Sequence, residues 1–98
     1  MSFTLLLTRE ATSGLSLLEK KPQLIGRLQR VRTALGRLQL NPDDPALRSH
    51  KYVSLAGKKG ETVWDSYIEN QTPTAGRIYW HYGPGLDRIT VVSITPHG

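Results

Sequence analysis

The chain has 98 residues, which suits one domain with a core that needs no disulfide or metal to fold. It contains no cysteine, and this excludes disulfides, thiol catalysis and cysteine-based metal sites. A formal charge of +5 favours acidic partners such as nucleic acid or an acidic protein. The longest early apolar run is three leucines, too short for a signal peptide or a membrane span, so we expect a cytoplasmic protein.

The first half of the chain predicts one strand followed by two helices. Phe3 to Thr8 is a short apolar run, as in a buried strand. Glu10 to Lys21 predicts a short or irregular helix, because Gly14 and two serines weaken the pattern. From Pro22 to Leu40 the apolar residues recur at spacings of four and three, which predicts an amphipathic helix with a buried seam of Leu24, Leu28, Val31, Leu35 and Leu38.

Basic residues are concentrated in this half, with no acid between Glu19 and Asp43. On the second helix Arg27, Arg30 and Arg37 fall within roughly a quarter of the circumference at about 100° per residue, away from the leucine seam. Such a stripe can bind phosphates or an acidic partner. A solvated helix face explains it equally well.

The second half predicts a run of strands joined by short loops. Tyr52 to Leu55 is a candidate short strand, and Thr62 to Glu69 is a longer one. A β-hairpin follows from Gly76 to Thr95, because glycine and proline at 83–85 separate two segments rich in aromatic and β-branched residues. Helices that precede antiparallel strands predict an α+β fold, with an N-terminal strand and two helices packed on one face of a mainly antiparallel sheet of about four strands. The opposite face is then open to a ligand.

Candidate functional residues lie in and after the hairpin. Alternation places Arg77, Tyr79 and His81 on one face of its first strand. His97 follows the proline that ends the second strand, at a position where functional side chains are often mounted. The three histidines show no His-x-x-x-His spacing, so the sequence predicts no metal site.

The order of elements resembles that of the RelE/ParE toxin superfamily, most closely its RelE and YafQ-type mRNA interferases. One matching segment is Gly76-Arg77-Ile78-Tyr79-Trp80, similar to the family's arginine followed by apolar and tyrosine residues on a central strand. The other is Val92-Ser93-Ile94-Thr95-Pro96-His97, where the family ends its last core strand and places a catalytic basic residue. The resemblance implies a single RelE-like toxin domain over residues 1–98.

The resemblance also implies roles for individual side chains. Arg77 matches the arginine that contacts the scissile phosphate, and His97 matches the terminal histidine or arginine of the active site. His50 lies near a histidine of YafQ-type proteins, and Tyr67 lies near a position where relatives use histidine or lysine. Asp65 departs from the family, since RelE has basic character there. The expected RNA-binding side chains are Arg48, Lys51, Lys58, Lys59 and His81.

Cleavage of RNA without a metal needs a base for the 2′-hydroxyl, a cation for the phosphate and an acid for the 5′-oxygen. Histidine and arginine supply these functions near neutral pH. We therefore expect the toxin of a type II toxin–antitoxin pair, a cofactor-free endoribonuclease that cuts mRNA on the ribosome and is bound by an acidic antitoxin. The alternatives are a ParE-like gyrase poison without nuclease activity and a catalytically silent module that binds RNA or the ribosome.

Overall fold

The computed structural model describes residues 2–69 and 76–95, and it confirms the α+β class. Two helices follow the first strand, and four further strands follow the helices. In chain order the elements are β1 (Thr4–Leu7), α1 (Arg9–Lys20), a 3₁₀ turn (Pro22–Leu24), α2 (Ile25–Leu40), a second 3₁₀ turn (Pro45–Leu47), β2 (His50–Ala56), β3 (Thr62–Tyr67), β4 (Arg77–Tyr82) and β5 (Arg88–Thr95).

The strands form one five-stranded sheet in the order β1-β5-β4-β3-β2. β1 runs parallel to β5, whereas the other neighbours are antiparallel. The sheet has five strands, where about four were expected from the sequence. The candidate strand at Tyr52 to Leu55 is the middle of the longer β2. A register shift between Lys51 and Ala56 interrupts this strand and hides its alternation from a reading of the sequence.

Both helices pack on one face of the sheet, as predicted. The seam residues Leu28, Val31 and Leu35 of α2 are buried there, which confirms the helical periodicity. The helix begins at Ile25 rather than at Pro22, because the Leu24 N–H bonds to the Lys21 carbonyl three residues back and makes the first turn 3₁₀. None of the described helices has the length and apolar composition that a membrane crossing requires.

The basic residues of α2 are partly neutralised within the fold. Arg30 Nε lies 2.8 Å from a carboxylate oxygen of Glu69, and Arg32 Nη2 lies 3.1 Å from Glu19. These pairs are exposed, so each contributes little to stability. Of these two arginines, Arg30 belongs to the predicted basic stripe, which therefore carries less unbalanced charge than the sequence indicates.

A buried hydrogen-bond chain fixes the start of β2 against the sheet. Trp80 is 1% exposed and stacks on Trp64, with the two ring centroids 6.0 Å apart. Its Nε1 donates to Ser66 Oγ at 2.7 Å, and Ser66 Oγ lies 2.6 Å from Ser49 Oγ. Because buried polar groups are costly without partners, this chain fixes the backbone immediately before His50.

Thr8 joins the beginning of α1 to the last strand. Its Oγ1 accepts from Ala11 N at 3.1 Å and donates to the Val92 carbonyl at 2.6 Å. We expect Thr8→Ala to lower the free energy of unfolding by about 1–2 kcal/mol in urea denaturation, because it removes a helix cap and an interelement bond together. The matched control is Thr33→Ala, since that hydroxyl donates to the Gln29 carbonyl of its own helix. Equal losses in the two variants would contradict this role for Thr8.

Candidate active site

The face of the sheet opposite the helices gathers polar side chains from three neighbouring strands. Asp65 on β3 pairs with His50 on β2 and with Tyr79 on β4. Two residues further along β3, Tyr67 pairs with Arg77. Residues that are paired in a sheet project from the same face. The register alone therefore brings these five side chains together.

Asp65 is at the base of this group, with only 2% of its surface exposed. Its Oδ2 accepts a hydrogen bond from Arg77 Nη1 at 2.7 Å and lies 3.4 Å from His50 Nε2. Its Oδ1 is buried and has no hydrogen-bond partner among the described residues. A buried carboxylate requires positive partners, so Asp65 holds the arginine and the histidine side by side.

His50 has an oxygen acceptor at each ring nitrogen. Nδ1 lies 3.1 Å from the Arg48 carbonyl oxygen, and Nε2 faces the Asp65 carboxylate. A doubly protonated ring can donate to both oxygens, whereas a neutral ring can donate to only one. Half of the side chain is exposed, so the ring is accessible to a ligand. The geometry suits a proton donor better than a proton acceptor.

Tyr67 packs against both Arg77 and His50. The guanidinium carbon of Arg77 lies 4.4 Å from the centre of the Tyr67 ring, a cation–π distance. The His50 ring meets the same tyrosine edge-on, with 6.2 Å between centroids. Tyr67 is therefore part of the cluster, but its contacts indicate support rather than proton transfer.

Tyr79 packs within the open face, on the same side of β4 as Arg77. Its ring centroid lies 4.9 Å from that of Tyr52 on β2. Burial raises the pKa of the Tyr79 hydroxyl, and the negative charge of Asp65 raises it further. The hydroxyl consequently stays protonated at neutral pH and is unsuited to act as a general base.

The structure brings together three of the four side chains predicted to be catalytic, namely Arg77, His50 and Tyr67. His97 lies outside the described residues. The missed member is Asp65, which the sequence marked only as a departure from RelE. The available signal was its position two residues before Tyr67 on the same face of one strand.

The five side chains predicted to bind RNA are divided between the two faces of the sheet. Lys58, Lys59 and His81 line a cavity at the far end of the open face. Lys51 instead lies over the Trp64 ring on the helix side, with Nζ 6.0 Å from the ring centre. Arg48 lines a cleft of about 240 Å³ that also contains Trp64 and Trp80. Neither of these two side chains lies with Arg77.

No three His, Asp or Glu side chains within residues 2–69 and 76–95 are grouped closely enough to hold a metal ion. The described site offers an arginine, a histidine, a carboxylate and two phenols. This set can bind a phosphate and can donate a proton.

Comparisons with known proteins identify the fold. No family model matches the sequence, and no curated protein is similar to it. Among solved structures, a YoeB/ParE toxin from Agrobacterium tumefaciens superimposes with a TM-score of 0.70 at 12% identity, covering 97% of this chain and 99% of that one. The RelE–RelB complex from Pyrococcus horikoshii OT3 matches with a TM-score of 0.65 at 13% identity, covering 100% of this chain and 98% of that one. The YoeB dimer from Staphylococcus aureus matches with a TM-score of 0.61 at 11% identity, covering both chains fully. The chain therefore has the fold of the RelE, YoeB and ParE toxins.

Proposed function

We propose that this chain is the toxin of a type II toxin–antitoxin pair and cleaves mRNA on the ribosome without a metal ion. The observation that carries the proposal is the cluster in which Asp65 holds Arg77 and His50 together on the open face of the sheet. The shared fold with RelE and YoeB structures supports the toxin assignment. The cluster supports cleavage over gyrase poisoning, because inhibition of gyrase does not require a proton-transfer group.

Arg77 is assigned to the scissile phosphate. Its guanidinium is held by Asp65 on one side and by the Tyr67 ring below, so its orientation is set before RNA binds. An arginine fork can hold two phosphate oxygens at once. Charge that develops on those oxygens during the reaction then meets a cation that does not need to reorganise.

His50 is assigned to the leaving group. In the reaction the 2′-oxygen attacks phosphorus, the 2′-hydroxyl proton passes to a base, and the bond from phosphorus to the 5′-oxygen breaks. His50 gives a proton to that 5′-oxygen, and the products are a 2′,3′-cyclic phosphate and a 5′-hydroxyl. His97, placed at the family's terminal catalytic position by resemblance, is the proposed base.

An acidic antitoxin is the proposed protein partner. Structural neighbours include complexes of RelE with RelB and of YoeB with YefM. The net charge of +5 on this chain favours a partner of opposite charge. Such a partner would neutralise the toxin by covering the open face or its basic rim.

The proposed mechanism requires the 2′-hydroxyl of the nucleotide at the cut. We expect wild-type protein to cut ribosome-bound mRNA at codon-defined positions, mapped by primer extension in cell-free translation. A single 2′-deoxy substitution at a mapped cut should abolish that cut and leave the others, because it removes the nucleophile. Cutting at the deoxy nucleotide would contradict the mechanism. Intact mRNA together with inhibited supercoiling by gyrase would instead favour the ParE-like alternative.

A further inference from the structure

Ser66 lies directly behind the cluster around Asp65, on the other face of the sheet. It stands between Asp65 and Tyr67 on β3, so strand alternation turns its side chain towards the helices. Its partner on β4 is the core residue Ile78, and Ser66 itself is 0% exposed. A substrate on the open face cannot touch this hydroxyl. Any contribution of Ser66 to the reaction must therefore pass through other residues.

The core end of the hydrogen-bond chain through Ser66 is fixed in position. An indole nitrogen only donates, so Ser66 Oγ accepts from Trp80 Nε1, at 2.7 Å. Trp80 is 1% exposed and its ring stacks on Trp64, so the donor is held by core packing. Ser66 Oγ also lies 2.6 Å from Ser49 Oγ. The chain thus ties Ser49 to the core.

The other end of the chain is next to a residue in the left-handed conformation. Arg48 has φ of 47° and ψ of 44°, a region that residues other than glycine rarely adopt. Such a conformation persists where the surrounding structure determines it. Leu47, just before Arg48, is 0% exposed in the core, and Ser49, just after it, is held by Ser66. The left-handed residue is therefore anchored on both sides.

Arg48 in this conformation contacts the ring of His50. Its carbonyl oxygen lies 3.1 Å from His50 Nδ1, while Nε2 at the other side of the ring lies 3.4 Å from Asp65 Oδ2. Half of the His50 side chain is exposed, so close packing does not fix the ring. Its orientation consequently depends on these polar contacts, and one of them is provided by the backbone that Ser49 anchors.

We propose that Ser49 and Ser66 are positioning residues for His50, an inference that rests on the proposed function. The hydrogen-bond chain holds the Arg48 carbonyl, and this carbonyl aims the His50 ring at the leaving 5′-oxygen. Proton transfer requires the donor within hydrogen-bond reach of its target, and a misplacement of about 1 Å can cost about 10²-fold in rate. Loss of the chain should slow the chemical step and leave phosphate binding by Arg77 intact.

Ser49→Ala is the variant that tests this role, because it removes the outer link and leaves Trp80 its acceptor on Ser66. In single-turnover cutting of ribosome-bound mRNA, the rate at saturating protein should fall by about ten- to a hundredfold. The half-saturating protein concentration should stay within about twofold, because Arg77 is untouched. Ser49→Thr keeps a hydroxyl and should recover most of the rate. A folded Ser49→Ala that cuts at the wild-type rate would overturn the inference.

The matched control is Thr8→Ala, which also removes a hydroxyl that joins two elements of the fold. Thr8 bonds to β5 and to α1, away from His50, so its loss destabilises the protein without moving the ring. Thr8→Ala should keep the rate at saturating protein within about twofold of the wild type. An equal loss of rate in Thr8→Ala and Ser49→Ala would show that the rate follows stability, and would overturn the positioning role.

A nuclear magnetic resonance measurement tests the position of the ring without any cleavage. The His50 and Tyr67 rings meet edge-on with 6.2 Å between centroids, so nuclear Overhauser effects should join their ring protons in the wild type. These signals should weaken in Ser49→Ala and persist in Ser49→Thr and Thr8→Ala. Unchanged signals in a folded Ser49→Ala would contradict the inference. Weakened signals in Ser49→Ala, in a protein whose wild type never cuts mRNA, would keep the positioning of His50 and overturn the nuclease proposal.

Discussion

Arg77→Ala should slow mRNA cleavage by about 10²- to 10³-fold, the cost of losing one preorganised electrostatic donor in a transition state. Asp65 and Tyr67 hold the Arg77 guanidinium in one orientation. A flexible side chain nearby cannot take up that fixed orientation when the guanidinium is lost. Arg77→Lys should recover only part of the rate, because an ammonium cannot form the two parallel bonds of the fork. The measurement is single-turnover cutting of ribosome-bound mRNA at saturating protein.

The matched control for this experiment is Arg32→Ala. Arg32 is an exposed arginine paired with Glu19 on the helix side, so its loss removes the same charge far from the site. It should leave the cleavage rate within about twofold, as expected of a surface substitution. A folded Arg77→Ala that cuts at the wild-type rate would sink the assignment of the phosphate site.

The parts of the fold that the sequence predicted best are those governed by local periodicity. The seam of α2 at Leu28, Val31 and Leu35 is visible within two helical turns, and the structure buries all three side chains. The β4–β5 hairpin is marked by the glycine and proline of its turn in the same way. In each case the information lies within one stretch of chain.

The catalytic cluster depends instead on how separate strands align. Asp65 meets Arg77 and His50 only because β3 pairs with β4 and β2 in one register, and a slip of one residue would turn Asp65 to the core face. Nothing local to Asp65 specifies that register. For this reason the sequence supplied the arginine and the histidine as candidates but not the carboxylate that joins them.

The register shift within β2 explains why the sequence could not assign each basic side chain to one face of the sheet. Lys51 pairs with Trp64 before the shift, and Ala56 pairs with Thr62 after it, so alternation cannot be counted through the strand. Lys51 therefore lies on the helix side, whereas Lys58 and Lys59 beyond the shift reach the open face. Composition identified the charges, and only the pairing assigns each to a face.

The ion pair with Asp65 that orients Arg77 for phosphate should also make the stability of the protein depend on Arg77. In Arg77→Ala the Asp65 carboxylate, whose side chain is 3% exposed, would lose its partner at 2.7 Å and keep the more distant His50 ring nitrogen at 3.4 Å. Removing one partner of a fully buried pair costs about 3–5 kcal/mol, and since Arg77 is itself partly exposed we expect a loss of about 2–3 kcal/mol in urea denaturation.

Arg77→Ala combined with Asp65→Asn should recover most of that stability, because asparagine has nearly the same shape and carries no charge to be buried unpaired. Cleavage by the double variant should nevertheless stay at the level of Arg77→Ala, since the phosphate still lacks its cation. The two readouts thus separate the burial of charge from catalysis, and they ensure that a slow single variant is not merely an unfolded one. A double variant as unstable as Arg77→Ala would show that the loss arises from packing around the arginine rather than from an uncompensated carboxylate. Recovery of cutting together with stability would mean that Arg77 acts only by neutralising Asp65, and the phosphate contact would then belong to another cation.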